Sequence, residues 1–96
     1  MNTKERLQTF VIEREIPGAG QLGPADLRGI ASKSCDILET LGPRIQWIHS
    51  YVTDDKIYCL YESASEALIR EHAEKGGFPA NSISPVRTVI DPSMGE

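Results

Sequence analysis

The 96-residue chain reads as an α+β fold in the order βαββαβ, and three observations predict it. Apolar residues alternate with period two in several short runs, and they recur every three to four positions in two longer ones. Breaks bearing glycine or proline separate the two kinds of run. The change of period is sharpest between Ile45 and Pro79, where a hairpin pattern feeds an amphipathic helix, and both histidines, His49 and His72, lie in that stretch.

From Gln8 to Ile16, the residues Phe10, Ile12 and Ile16 share one parity while Val11, Glu13 and Glu15 take the other, as in a strand with one apolar side. Pro17-Gly18 ends it. A loop from Ala19 to Gly23 delivers Pro24 to a first-turn helical position, with Asp26 near the positive end of the helix dipole. Leu27, Ile30, Ala31, Ser34, Leu38 and Leu41 then form one helical stripe, which Gly42-Pro43 stops. Arg44 to Thr53 and Lys56 to Glu62 are two strands joined by Asp54-Asp55, a register that sets Val52 beside Ile57, Ser50 beside Cys59 and Ile48 beside Tyr61. The other face of this hairpin carries Trp47, His49, Tyr51, Tyr58, Leu60 and Glu62. Both faces are fairly apolar, so a slip of one residue would exchange them and turn His49 toward the helices. Ser63 with Glu66 makes a capping box for a second helix, whose inward stripe is Ala64, Leu68 and His72 and whose stop is Gly76-Gly77. A last strand is expected over 83–90, and Pro85 assigns it to a sheet edge.

This order is that of a ferredoxin-like split βαβ fold, a four-stranded antiparallel sheet with both helices on one face. One domain over residues 8–91 is expected, with 1–7 and 92–96 as flexible tails. The uncovered sheet face, with Trp47, Tyr51, Tyr58 and Leu60, is too apolar to stay wet, which predicts a homodimer formed through the sheet.

Composition narrows the function. The formal charge of −4, from 10 Lys and Arg against 14 Asp and Glu, lacks the basic field that nucleic acid or an anionic membrane surface requires. No run reaches the length of a membrane span, and Met1 to Arg6 leads into the first strand without an apolar signal region, so a soluble cytoplasmic protein is expected. Cys35 and Cys59 lack C-x-x-C spacing and read as small apolar side chains in a reducing compartment.

Gly18-Ala19-Gly20-Gln21-Leu22-Gly23 matches G-x-G-x-x-G, but Pro24 starts the helix after the last glycine. The expected strand end at Val52-Thr53 carries no carboxylate, so the run reads as a turn and no nucleotide is expected. His72, on a helical stripe, and His49, between Trp47 and Tyr51, each have an ordinary structural reading. The functional alternative is a nitrogen-and-oxygen metal site drawing on His72, His49, Glu13, Glu15 and Glu62, completed by water or a second subunit. A further alternative is catalysis on the open face, with His49 as general base or acid and Tyr51 or Tyr58 orienting a small aromatic substrate in an apolar cavity. Cys59, on the parity of Ile57, faces the core, and no nucleophile with a neighbouring base can be assembled, so binding is favoured over catalysis.

Ile45-Gln46-Trp47-Ile48-His49-Ser50-Tyr51-Val52, then Lys56-Ile57-Tyr58-Cys59-Leu60, then Ile69-Arg70-Glu71-His72 through Gly77-Phe78-Pro79 resemble a family of small bacterial proteins of undefined function. One branch of that family binds nickel on a ferredoxin-like dimer. The resemblance runs from about Phe10 to Asp91 and implies the same fold and a divalent transition metal such as nickel. Among the histidines it matches His72. It departs at Glu13-Arg14-Glu15, where that branch is rich in histidine, and at Phe78, where it has histidine before the proline. Carboxylates in place of imidazoles shift preference toward harder ions. The reading is therefore a cytoplasmic ferredoxin-like homodimer that binds a divalent metal. The alternatives are a small-molecule-binding or enzymatic barrel between two sheet faces, and an interaction module without ligand.

Overall fold

A computed structural model describes residues 6–95, and the expected tail residues 1–5 and 96 lie outside them. The elements follow the order βαββαβ: β1 (Gln8–Glu15), α1 (Pro24–Leu41), β2 (Ile45–Val52), β3 (Lys56–Ser63), α2 (Glu66–Gly76) and β4 (Ser82–Pro85). All pairings are antiparallel, in the strand order β2-β3-β1-β4. The two middle strands therefore come from opposite halves of the chain, as in the ferredoxin-like arrangement.

Phe10, Ile12 and Arg14 of β1 and Ile57, Cys59 and Tyr61 of β3 point to the helix side of the sheet. With Ile45 of β2 and Ile69 of α2, the apolar members of this set form the core, against which Leu38 and Leu41 of α1 pack. Between β1 and α1, the glycine-rich loop docks on the hairpin turn: the Gly18 N–H donates to Asp55 Oδ1 at 3.0 Å and the Gly20 N–H to the Asp54 carbonyl at 2.9 Å. A Cβ on Gly20 would stand 3.0 Å from Asp54 Cα, so this glycine is required by close backbone approach. Gly42, at φ 85°, ends α1 before Pro43.

Four expectations are corrected. The β2–β3 register runs as expected from Val52–Ile57 through Ser50–Cys59, but a bulge at Ile48 then pairs Trp47, not Ile48, with Tyr61. One extra residue inverts the parity of everything before it. Trp47 accordingly leaves the open face for the helix side, where its ring stacks on Tyr61 at 6.5 Å between centroids. The second helix is capped by Ser65, whose hydroxyl accepts from the Leu68 N–H at 3.2 Å, because Ser63 is still paired within β3. The buried stripe of that helix is Ile69, His72, Ala73 and Gly76, with Ala64 outside the helix and Leu68 half-buried. β4 stops at Pro85 instead of reaching residue 90, since its partner β1 begins at Gln8 and offers little ladder beyond Val86. Residues 92–95 form an exposed 3-10 turn. Among the described residues, no helix is long and apolar enough to cross a membrane.

Candidate functional site

The sheet separates the side chains singled out from the sequence into two groups. On the open face His49 pairs with Leu60, Tyr51 with Tyr58, Glu13 also with Tyr58, and Glu62 with Gln46 and Thr9. The His49 Nε2 lies 3.1 Å from the Tyr51 hydroxyl, with the two rings edge to face at 5.0 Å. Glu13 is held by the Lys56 ammonium at 2.9 Å, and that pair raises the Lys56 pKa. Glu15 ends β1 opposite Lys56. Because β3 lies between β1 and β2, Glu13 and His49 stand roughly 10 Å or more apart. Tyr51, on the edge strand β2, is 58% exposed, which leaves that side of the face wet.

On the helix side His72 of α2 is fully buried, and its Nε2 lies 2.9 Å from Ser34 Oγ of α1. Its ring packs against Tyr61 and Phe78, at 5.3 and 5.5 Å between centroids. Burial first, and the Arg14 guanidinium second, lower the His72 pKa from 6.5 to about 4, with Ser34 opposing. The imidazole is therefore neutral at pH 7. Burial likewise raises the Tyr61 hydroxyl above its usual range, with Ser34 and Arg14 pulling the other way.

Arg14 is the residue that the strand reading passed over, although it shares the parity of Phe10 and Ile12. It is only 3% exposed. Its Nε donates to Cys59 Sγ at 3.3 Å and its Nη1 to the Pro79 carbonyl at 2.6 Å, while Nη2 has no partner among the described residues. The guanidinium carbon lies 5.6 Å from the Phe78 ring centroid and 6.0 Å from that of Tyr61. A cation on the apolar parity of a central strand was the signal in the sequence.

Beside Arg14, a cleft of about 390 Å³ opens between α1 and the helix side of the sheet. Leu27, Ile30 and Ala31 form its helical wall, and Trp47, Ile57 and Tyr61 its sheet wall. Along the 18 residues of α1 only Ser34 is buried, so the N-terminal half of this helix stands off the sheet.

A resident metal is tested by these positions. His49 and His72 are on opposite faces of the sheet, and no group of three or more His, Cys, Asp or Glu is placed to hold an ion among the described residues. His72 is also paired with Ser34 and adjoins a cation. One chain therefore does not fit a complete metal centre, and the open face around His49 offers at most part of one.

No curated protein matches the chain. Among solved structures, the crystal structure of SCO4226 from Streptomyces coelicolor A3(2) aligns with a TM-score of 0.71 at 18% identity, covering 85% of this chain and 99% of that one. At that identity the likeness speaks for the fold. Residues 10–86, nearly the whole of the βαββαβ unit, match the model of the family described as nickel responsive protein SCO4226-like, and the chain belongs to that family.

Proposed function

We propose that the protein binds a divalent transition metal, nickel first, as a cytoplasmic homodimer in which two open sheet faces meet and supply the ligands jointly. The observation that carries this reading is the position of His49, an exposed imidazole on the uncovered face of the sheet. Glu62 lies one row away, and Glu13 and Glu15 lie further along the same face. Imidazole nitrogen with carboxylate oxygen suits a borderline divalent ion, and a second copy would double a donor set that is too small alone. Membership of a family described as nickel responsive supports the choice of metal. The wet apolar rows of Tyr51, Tyr58 and Leu60 support a second copy as the cover. Two free thiols, exposed Cys35 and buried Cys59, suit a reducing compartment. His72 stays outside the ligand set, because the Arg14 guanidinium beside it repels a dication.

Calorimetric titration of nickel and zinc into untagged protein, with sedimentation at each metal ratio, tests the reading. Saturable nickel binding that raises the dimer fraction, weakened by about tenfold or more in His49→Ala, is expected. His72→Ala should lower stability and leave the metal affinity in place wherever the variant is folded. Undiminished binding in His49→Ala, or heats equal to a buffer blank, would overturn the proposal.

A further inference from the structure

The helix-side cleft raises a question that the metal reading leaves untouched, namely what compensates the charge of Arg14. A guanidinium keeps its charge in any protein environment, and burying a charge without a counter-ion is costly. Arg14 is 3% exposed, yet its two partners are a thiol and a carbonyl, both formally neutral. No carboxylate pairs with it among the described residues. The neutral His72 and the Tyr61 hydroxyl beside it add no negative charge at pH 7. A cationic side chain with one unpartnered NH2 group therefore lines a mostly apolar cleft, whose wall among the described residues also includes Ser34, His49 and Ser50 but no Asp, Glu, Lys or second Arg.

We propose that this cleft is a binding site for a small organic monocarboxylate, its carboxylate on Arg14 Nη2 and its apolar body between Ile30 and Ala31 of α1 and Trp47 of β2. The chemistry selects that class in three steps. With Nε and Nη1 already engaged, the free NH2 offers two N–H groups to one oxyanion, and one fixed charge balances one negative charge, which favours a carboxylate over a phosphate dianion. The Ser34 hydroxyl lines the facing helical wall, and where His72 Nε2–H donates to its oxygen, its own proton can turn to the second carboxylate oxygen. A cleft of about 390 Å³ lined by leucine, isoleucine, alanine and tryptophan requires that the rest of the ligand be apolar and compact. The Lys33 ammonium, 5.7 Å from the Phe78 ring centroid, adds a second cation on the ring that lines this wall and favours approach of an anion.

The test titrates phenylacetate, hexanoate, their neutral amides, decanoate and inorganic phosphate into isotope-labelled full-length protein, read by amide chemical shifts and calorimetry. Phenylacetate and hexanoate should bind at a single site with shifts centred on residues 14, 34 and 59, and each amide should bind about tenfold or more weakly. Arg14→Met should abolish that preference for acid over amide. Should Arg14→Met fail to fold, Ile30→Trp keeps Arg14 and fills the helical wall, and it should weaken both acids by about tenfold or more. Decanoate tighter than hexanoate would give the same chemistry a lipid-derived source, and weaker decanoate a short metabolite. An amide binding as tightly as its acid, phosphate binding more tightly than either short acid, or no saturable shift with any probe would each overturn the assignment.

Discussion

Burial makes His72 a proton-sensitive element of stability. Its folded pKa is about 4 against 6.5 in the unfolded chain, so the unfolded state takes up the proton first as pH falls. Stability is full above about pH 6.5 and is lost progressively as pH drops toward 4, the direction required when folding depresses a pKa. Between pH 7 and pH 5 the loss should be about 2 kcal/mol, read as a lower urea midpoint, and His72→Gln should flatten that slope whatever it does to stability at pH 7. An unchanged slope in the variant would assign the acid sensitivity elsewhere. Arg14 teaches a related lesson at the same scale. Its parity with Phe10 and Ile12 was legible, but the thiol and carbonyl that hold it, Cys59 and Pro79, come from other elements. No local pattern names such partners.

Within elements, single residues decide where a pattern begins, ends or inverts. The Ser65 hydroxyl, not that of Ser63, caps α2, so Ser65→Ala should cost about 1 kcal/mol in chemical denaturation. Ser63 is fully buried and its hydroxyl donates to the Ser65 carbonyl at 2.7 Å, so Ser63→Ala acts on the strand end instead. Gly20→Ala would push a methyl against the Asp54 backbone and should destabilise by about 1–3 kcal/mol, the range of an overpacked contact. Thermal unfolding that leaves the Gly20→Ala midpoint unmoved would mean the hairpin turn yields to the added methyl. At Gly76 a Cβ would collide with the Phe78 ring and press on Ile37 of α1, so the bare glycine lets the two helices and that ring close together. The bulge at Ile48 has the largest consequence, since it carries Ile45 into the core and Trp47 to the helix side while leaving His49 and Tyr51 outside. Two competing registers were readable in the hairpin, and the chain uses one on each side of the bulge.

At the scale of the whole molecule, both faces of the layered fold are incompletely covered. Among the described residues, one face of the sheet carries no helix, and the other is only partly filled because α1 stands away from β2. Tyr51 is exposed on the bare face, on the edge strand β2 near the hairpin turn, so Tyr51→Glu should leave the unfolding transition nearly unchanged while lowering self-association by about tenfold or more. Sedimentation across a concentration series reads this directly, and equal association of wild type and variant would rule out the sheet face as the interface. The metal reading depends on this outcome, whereas the carboxylate site lies on the other side of the sheet and does not.

The sequence by itself determined the order of elements, their alternating and helical periods, the turn at Asp54-Asp55 and the stop at Gly42, because each follows from backbone preferences and nearest neighbours along the chain. It also determined the family, whose matched residues run from 10, within β1, to 86, just past β4. Only the tertiary structure decided which side of the sheet receives Trp47, that His72 and Arg14 share one buried site, and that an open cleft lies beside them. These depend on a one-residue bulge and on the distance between α1 and the sheet. Both are set by how remote surfaces fit together, a balance of packing that no local period encodes.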